Sequence, residues 1–258
     1  MKAACNSDRG ENCLRMAQAF EGRPLQAADG DIGTLQGLYI DGARWMVRYL
    51  LVDCAGWLEG RKVLVAPLAV GESGADESSL CVELTRGQIN GSPPFDAGQP
   101  ISRAYETRYY QYYNWPAYWE FDPLAGLPLS QLPASPQLVR DDAGHTRDLD
   151  RHLHPGTDVR GCEVVARDGS IGTIRDLVVD TRYWLIRYME IETSSGWPVR
   201  YVLLSQAWIK SVHWTARRVF VDLARAAIAR APRFDPSSGI SHAYEAQLFE
   251  YYGYPVCC

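Results

Sequence analysis

Four groups of residues in this chain have types and spacings that could do chemistry. His145, His152 and His154 stand among Asp141, Asp142, Asp148 and Asp150. Imidazole and carboxylate together can ligate a divalent metal, but the run sits in a polar linker and reads as a solvated stretch. Asp29-Gly30-Asp31-Ile32-Gly33 opens like a calcium loop and lacks the later acidic ligands and closing glutamate that calcium needs. A tight turn capped by Asp, with Gly at positive φ, accounts for it and for the similar Asp168-Gly169-Ser170-Ile171-Gly172. Arg48 and Arg187 precede tyrosines inside apolar strands, where a guanidinium needs a carboxylate or carbonyl partner. Asp41 and Asp180, at the ends of the preceding strands, are the candidates for structural ion pairs; an anchor for an anion or a partner is the alternative. Tyr109, Tyr110, Trp115, Tyr118 and Trp119 belong to the densest aromatic cluster. Stacking on bases needs interleaved cations, which are few here. Packing of a helix face or a protein-binding surface is the expectation.

Catalytic signatures are missing. His213 and His242 have no nucleophile near them in sequence, and there is no G-x-S-x-G, Walker loop, dinucleotide fingerprint or H-E-x-x-H. The expectation is a non-enzymatic protein with no metal and no organic cofactor. A net charge of −5 disfavours nucleic acid as a partner. The first twenty residues lack an apolar signal-peptide core, and no apolar run is long enough to span a bilayer. Seven cysteines, an odd number without a C-x-x-C pair, point to reduced thiols and a cytoplasmic location. Cys257-Cys258 reads as a terminal tail, with a vicinal disulfide or a soft-metal site as the alternative.

The elements that must position these residues come twice. Shifted by 139 positions, the chain matches itself. Ile32-Gly33-Thr34 falls on Ile171-Gly172-Thr173, Asp41 on Asp180, Trp45 on Trp184, and Arg48-Tyr49 on Arg187-Tyr188. Ala104-Tyr105-Glu106 falls on Ala243-Tyr244-Glu245, and Tyr112-Tyr113 on Tyr251-Tyr252. Residues 14–116 and 153–255 are therefore copies of one module. The domain plan is an N-terminal extension (1–13), module 1 with a Tyr-rich helix (14–120), a Pro-rich linker (121–150) and module 2 with its own Tyr-rich helix (151–258).

Within each copy, turn signals every 8–12 residues separate β-rich runs, which predicts a small antiparallel β-barrel or sandwich. A short helical turn stopped by proline follows. A helix then starts at an N-cap serine, Ser102 or Ser241. Tyr105, Tyr109, Tyr112 and Tyr113 share one face of the first helix, as Tyr244, Leu248, Tyr251 and Tyr252 do in the second. The strand Trp45–Val52 is apolar on both faces except at Arg48, too much for a barrel with one solvated side. This predicts an intramolecular pseudo-dimer with Trp45 and Trp184 near the contact, and leaves further homo-oligomerisation open.

The repeated pattern of D-G-x-I-G, a strand ending in Asp, W-x-[IV]-R-Y and a Tyr-rich tail resembles the PRC-barrel, over nearly all of residues 14–255. That module occurs in the cytoplasmic domain of the photosynthetic reaction-centre H subunit and in the C-terminal half of a ribosome-maturation factor. The layout is similar to bacterial tandem PRC-barrel proteins. The resemblance implies a mainly β fold of two small antiparallel barrels in tandem, each followed by a short helix, and a protein-binding or assembly role. Its alternatives are a peripheral partner of a membrane photosynthetic or redox complex, or a ribosome-associated factor.

Overall fold

A computed structural model describes residues 13–54, 56–58, 60–71, 79–119, 152–193 and 199–252. His145 with its neighbouring aspartates, the whole linker (121–150) and Cys257-Cys258 lie outside the described residues. The first copy runs through β1 (Leu14–Met16), β2 (Pro24–Ala27), β3 (Gly30–Asp41), β4 (Met46–Asp53), β5 (Lys62–Val65) and β6 (Leu80–Cys81), then helices α1 (Arg86–Gly91) and α2 (Arg103–Tyr112). The second runs through β7 (Leu153–Pro155), α3 (Gly156–Val159), β8 (Glu163–Ala166), β9 (Gly169–Asp180), β10 (Leu185–Thr193), β11 (Arg200–Ser205), β12 (Ile209–His213) and β13 (Arg218–Val221), then α4 (Arg225–Arg230) and α5 (His242–Tyr252).

Local chemistry sets the element starts. Ser102 Oγ accepts the Tyr105 amide at 3.2 Å, and Ser241 Oγ accepts that of Tyr244 at 3.1 Å. The turn aspartates do something other than cap their own turns. Asp29 and Asp168 each accept the first amide of the distant short helix, from Arg86 and Arg225, both at 2.7 Å. They fasten α1 and α4 to the β2–β3 and β8–β9 turns.

The fold is mainly β, and its strands form one mixed sheet in the order β12-β13-β8-β9-β10-β4-β3-β2-β6. The two closed antiparallel barrels expected from the sequence are corrected here: the sheet is not closed. Nor is it all antiparallel, since β13 pairs with β8, and β6 with β2, in parallel. The short connections behind the antiparallel expectation join sequence neighbours. These parallel partners are separated by about 50 residues, ample for a crossover. A further strand, β12, stands between β11 and β13 in the chain and pairs with β13 at the end of the sheet.

From the centre outward, β10-β9-β8-β13 mirrors β4-β3-β2-β6. At the centre the halves exchange backbone bonds both ways. Val47 N–H donates to the Trp184 carbonyl at 2.8 Å, and Ile186 N–H to that of Trp45 at 2.7 Å. Both tryptophans adopt positive φ, 55° and 53°, which is unusual for a large side chain and strained. The first strand of each copy also crosses over. β1 pairs with β9 of the second copy, and β7 with β3 of the first, in matching register. Such i-to-j and j-to-i contacts are the pattern of a two-fold interface, here within one chain. One apolar core contains buried residues of both copies, and a second cluster lies under α2.

Because each copy completes the other's sheet, cutting the linker at an engineered protease site between Leu129 and Asp142 is expected to leave one species. Native gel filtration checks this, and two folded peaks near half mass would contradict it.

Candidate functional site

The polar residues that the repeat brings together form two equivalent seats, one per copy, each between a central strand and the Tyr-rich helix. In the first, the Arg48 guanidinium lies on Asp41 Oδ2, with Nη2 at 3.1 Å and Nε at 3.3 Å. Asp41 is itself oriented, because its other oxygen accepts the amides of Ala43 and Arg44. The next residue, Tyr49, donates its hydroxyl to Glu106 at 3.2 Å. Glu106 sits in the first turn of α2, where the helix dipole favours a carboxylate, and is fully buried. It also accepts from Tyr118 at 2.6 Å, and faces Arg103 at 2.9 Å and His152 Nε2 at 2.8 Å. The Tyr118 ring covers Arg48, with 3.7 Å from guanidinium carbon to ring centroid, and Trp119 lies over Arg103 at 4.3 Å. Burial first, and Glu106 second, push the Tyr49 and Tyr118 hydroxyls up from the ordinary phenol range. Both hydroxyls therefore stay protonated near neutrality and act as donors to Glu106.

The second seat repeats the parts in a looser form. Tyr188 donates to Glu245 at 2.7 Å. Arg187 stands 3.6 Å from both Asp180 and Glu245, beyond good hydrogen-bond distance. His242 takes the place of Arg103, 3.6 Å from Glu245, and Cys13 takes the place of His152 in the sequence. Exposure separates the two seats. The Arg48 side chain is 6% exposed and that of Arg187 33%.

The sequence-picked aromatics divide by position. Tyr109 and Tyr110 are buried under α2; Trp115, Tyr118 and Trp119 are half-buried around them. Trp45 is buried and Trp184 half-buried at the junction of the copies, so neither presents a free surface. Tyr112 and Tyr251, expected on the packed helix face, are instead exposed, each tied by its hydroxyl to a carbonyl of the short helix before it. Of the three histidines grouped in sequence, the two described, at the start of the second copy, part company. His152 joins Glu106, while His154 stacks on Trp214 with 3.6 Å between ring centroids. Burial first, then His152, pulls the His154 imidazole down to about 4, so it stacks in its neutral form.

Two further acids escaped the sequence reading. Asp176 and Glu190 are cross-strand partners on β9 and β10, both buried near the junction. Their counterparts in the first copy are Gly37 and Leu51. Asp176 lines a cleft of about 460 Å³, open mouth included, beside the Glu21–Arg160 ion pair. Burial raises Asp176 to about 6, against the pull of its bonds to the amides of Leu177 and Gln18. Burial, with Asp176 next, raises Glu190 to about 7. An acid raised on folding keeps its proton in the native state after the unfolded chain has lost it, so stability falls as pH rises from about 4 to about 7. Glu190→Gln is expected to stabilise the protein by about 2 kcal/mol at pH 8, after allowance for screening, and by little at pH 4. Urea unfolding at both pH values checks it; an equal gain at the two would remove the titration as its cause.

Among the described residues, no three His, Cys, Asp or Glu converge as a metal site would require, and no helix is long and apolar enough to cross a membrane. No protein-family model matches the chain, and no curated protein matches it.

Proposed function

We propose that this chain is a non-enzymatic protein-binding or assembly protein made of two PRC-type modules fused as an internal pair. The resemblance of its repeated motifs, and a strand order that mirrors about the β4–β10 contact, support the module reading. The observation that carries the binding role is the matched pair of outward tyrosines, Tyr112 and Tyr251, 43% and 40% exposed. Each is immobilised by its hydroxyl, at 2.9 Å from the Gln88 and Ala227 carbonyls respectively. A rigid, half-exposed tyrosine gives contact area at low entropic cost, which is why Tyr is enriched at interface hot spots.

The test places a photo-crosslinking amino acid at 112, at 251 and, as a control, at the exposed Arg218, in cells of the native host. The expected result is one adduct of the same mass from 112 and 251, absent from 218 and competed by the unlabelled wild-type protein. No adduct, or the same adducts from all three positions, would defeat the binding reading.

A further inference from the structure

The two seats differ in what fills them. In the first copy, the chain supplies its own occupant. Tyr118 lays its ring on Arg48 and donates its hydroxyl to Glu106, and Trp119 follows on Arg103. The residues 139 positions after Tyr118 and Trp119 are Cys257 and Cys258, which carry neither ring nor phenol. Yet the second copy keeps the receiving side: Asp180, Arg187, Tyr188 and Glu245. We propose that this second seat docks a segment of a partner protein that presents a tyrosine followed by a tryptophan. The proposal rests on the protein-binding reading above and names what one surface of that protein takes.

Three features fit such an occupant. Arg187 is a third exposed where its counterpart Arg48 is covered, and an aromatic ring laid on a guanidinium face gains from the cation. Among the described residues Arg187 stands 3.6 Å from each carboxylate, longer than a good hydrogen bond, so an incoming hydroxyl has a use. Glu245 retains acceptor capacity beyond the Tyr188 hydroxyl and the loosely placed His242. The charge set also chooses between ligands. Two carboxylates flank one guanidinium, so a phosphate, and hence a phosphotyrosine, meets like charge where a neutral phenol meets an acceptor. A tyrosine hydroxyl donates to Glu245 as Tyr118 does to Glu106; a phenylalanine leaves that position unused.

The test uses the full-length protein and a fluorescein-labelled hexapeptide with the sequence of residues 114–119, followed by anisotropy. Saturable binding is expected. Arg187→Ala and Glu245→Gln should each weaken it about tenfold, as losing one cation–π contact or one charge-assisted hydrogen bond would. The peptide with Tyr118→Phe, or with phosphotyrosine at that position, should bind the wild-type protein correspondingly less well. These peptide changes keep the test sharp even if a protein variant folds poorly by circular dichroism. The proposal is overturned by any of three outcomes: no saturable binding, binding indifferent to both the protein and the peptide changes, or binding that appears only after residues 253–258 are removed. The last would make the chain's own end the occupant. If the peptide fails while the cross-links from 112 and 251 persist, the seat assignment falls and the binding role stands.

Discussion

Replacing Glu106 with leucine is expected to cost about 3–5 kcal/mol of folding stability, the range for removing one member of a buried charge network. Leucine nearly matches the volume, so lost packing is the lesser part. The larger part is what stays behind: the hydroxyls of Tyr49 and Tyr118, and the cation of Arg103, aimed at a fully buried point that no longer accepts. The matched change Glu245→Leu provides the scale. Around Glu245 the cation is a third exposed and water can replace the carboxylate, so that change should cost about 1–2 kcal/mol. Urea unfolding of the two variants under identical conditions decides the matter. Equal losses would mean that the first seat is no more sealed than the second.

A comparable loss is expected from Gly172→Ala and Gly33→Ala, for a reason unrelated to charge. A Cβ at 172 would lie 2.0 Å from the Glu192 carbonyl oxygen, and one at 33 would lie 1.9 Å from that of Asp53. The obstacle is backbone in a paired strand, which cannot rotate aside as a side chain would. Gly33 adds a φ of +147°, which disfavours any side chain. Each change should cost about 3–4 kcal/mol, with the ladder between β9 and β10, or β3 and β4, forced apart. Gly37→Ala is the control. Nothing stands within 4 Å of its Cβ position, and its effect should stay within about 0.5 kcal/mol. A harmless Gly172→Ala would show that the strands can separate there at little cost.

Much of this was legible in the sequence because it is local. Serine caps, turn glycines and the alternation of β3 and β9 depend on residues close to one another, and they announce themselves by type and spacing. The 139-residue self-match added the copies. The pairing of Arg48 with Asp41 followed from a single need, a counter-charge for a guanidinium in an apolar strand. The Glu106 hub was not read, although Glu106 and Glu245 recur at equivalent positions beside Arg48-Tyr49 and Arg187-Tyr188. Its partners come from β4, α2, the residues after α2 and the start of the second copy. Nothing in helical or strand periodicity brings those four stretches together. Asp176 and Glu190 were hidden for the opposite reason. Both lie in strands whose alternation places polar residues outward, and residues of the first copy, Gln18 with its bond to Asp176 and the cleft wall at Gly37 and Leu38, lie against that face. The open sheet and its parallel pairs escaped because pairing between distant strands leaves no trace in local spacing.

The exchange of first strands has a consequence for how the chain is made. During synthesis, the outer edge of β3 near Asp41 waits for β7, whose first residue, Leu153, leaves the ribosome about 110 residues later. At the usual ~5–20 residues per second, that is on the order of 5–20 s with a strand edge uncovered. β1 waits longer still, since its partner β9 ends at Asp180. The nascent first copy therefore spends its early life as half of an unfinished sheet, open to pairing with another nascent chain. Carrying both copies on one chain keeps the missing strands at a high effective concentration, which protects the nascent first copy against that encounter.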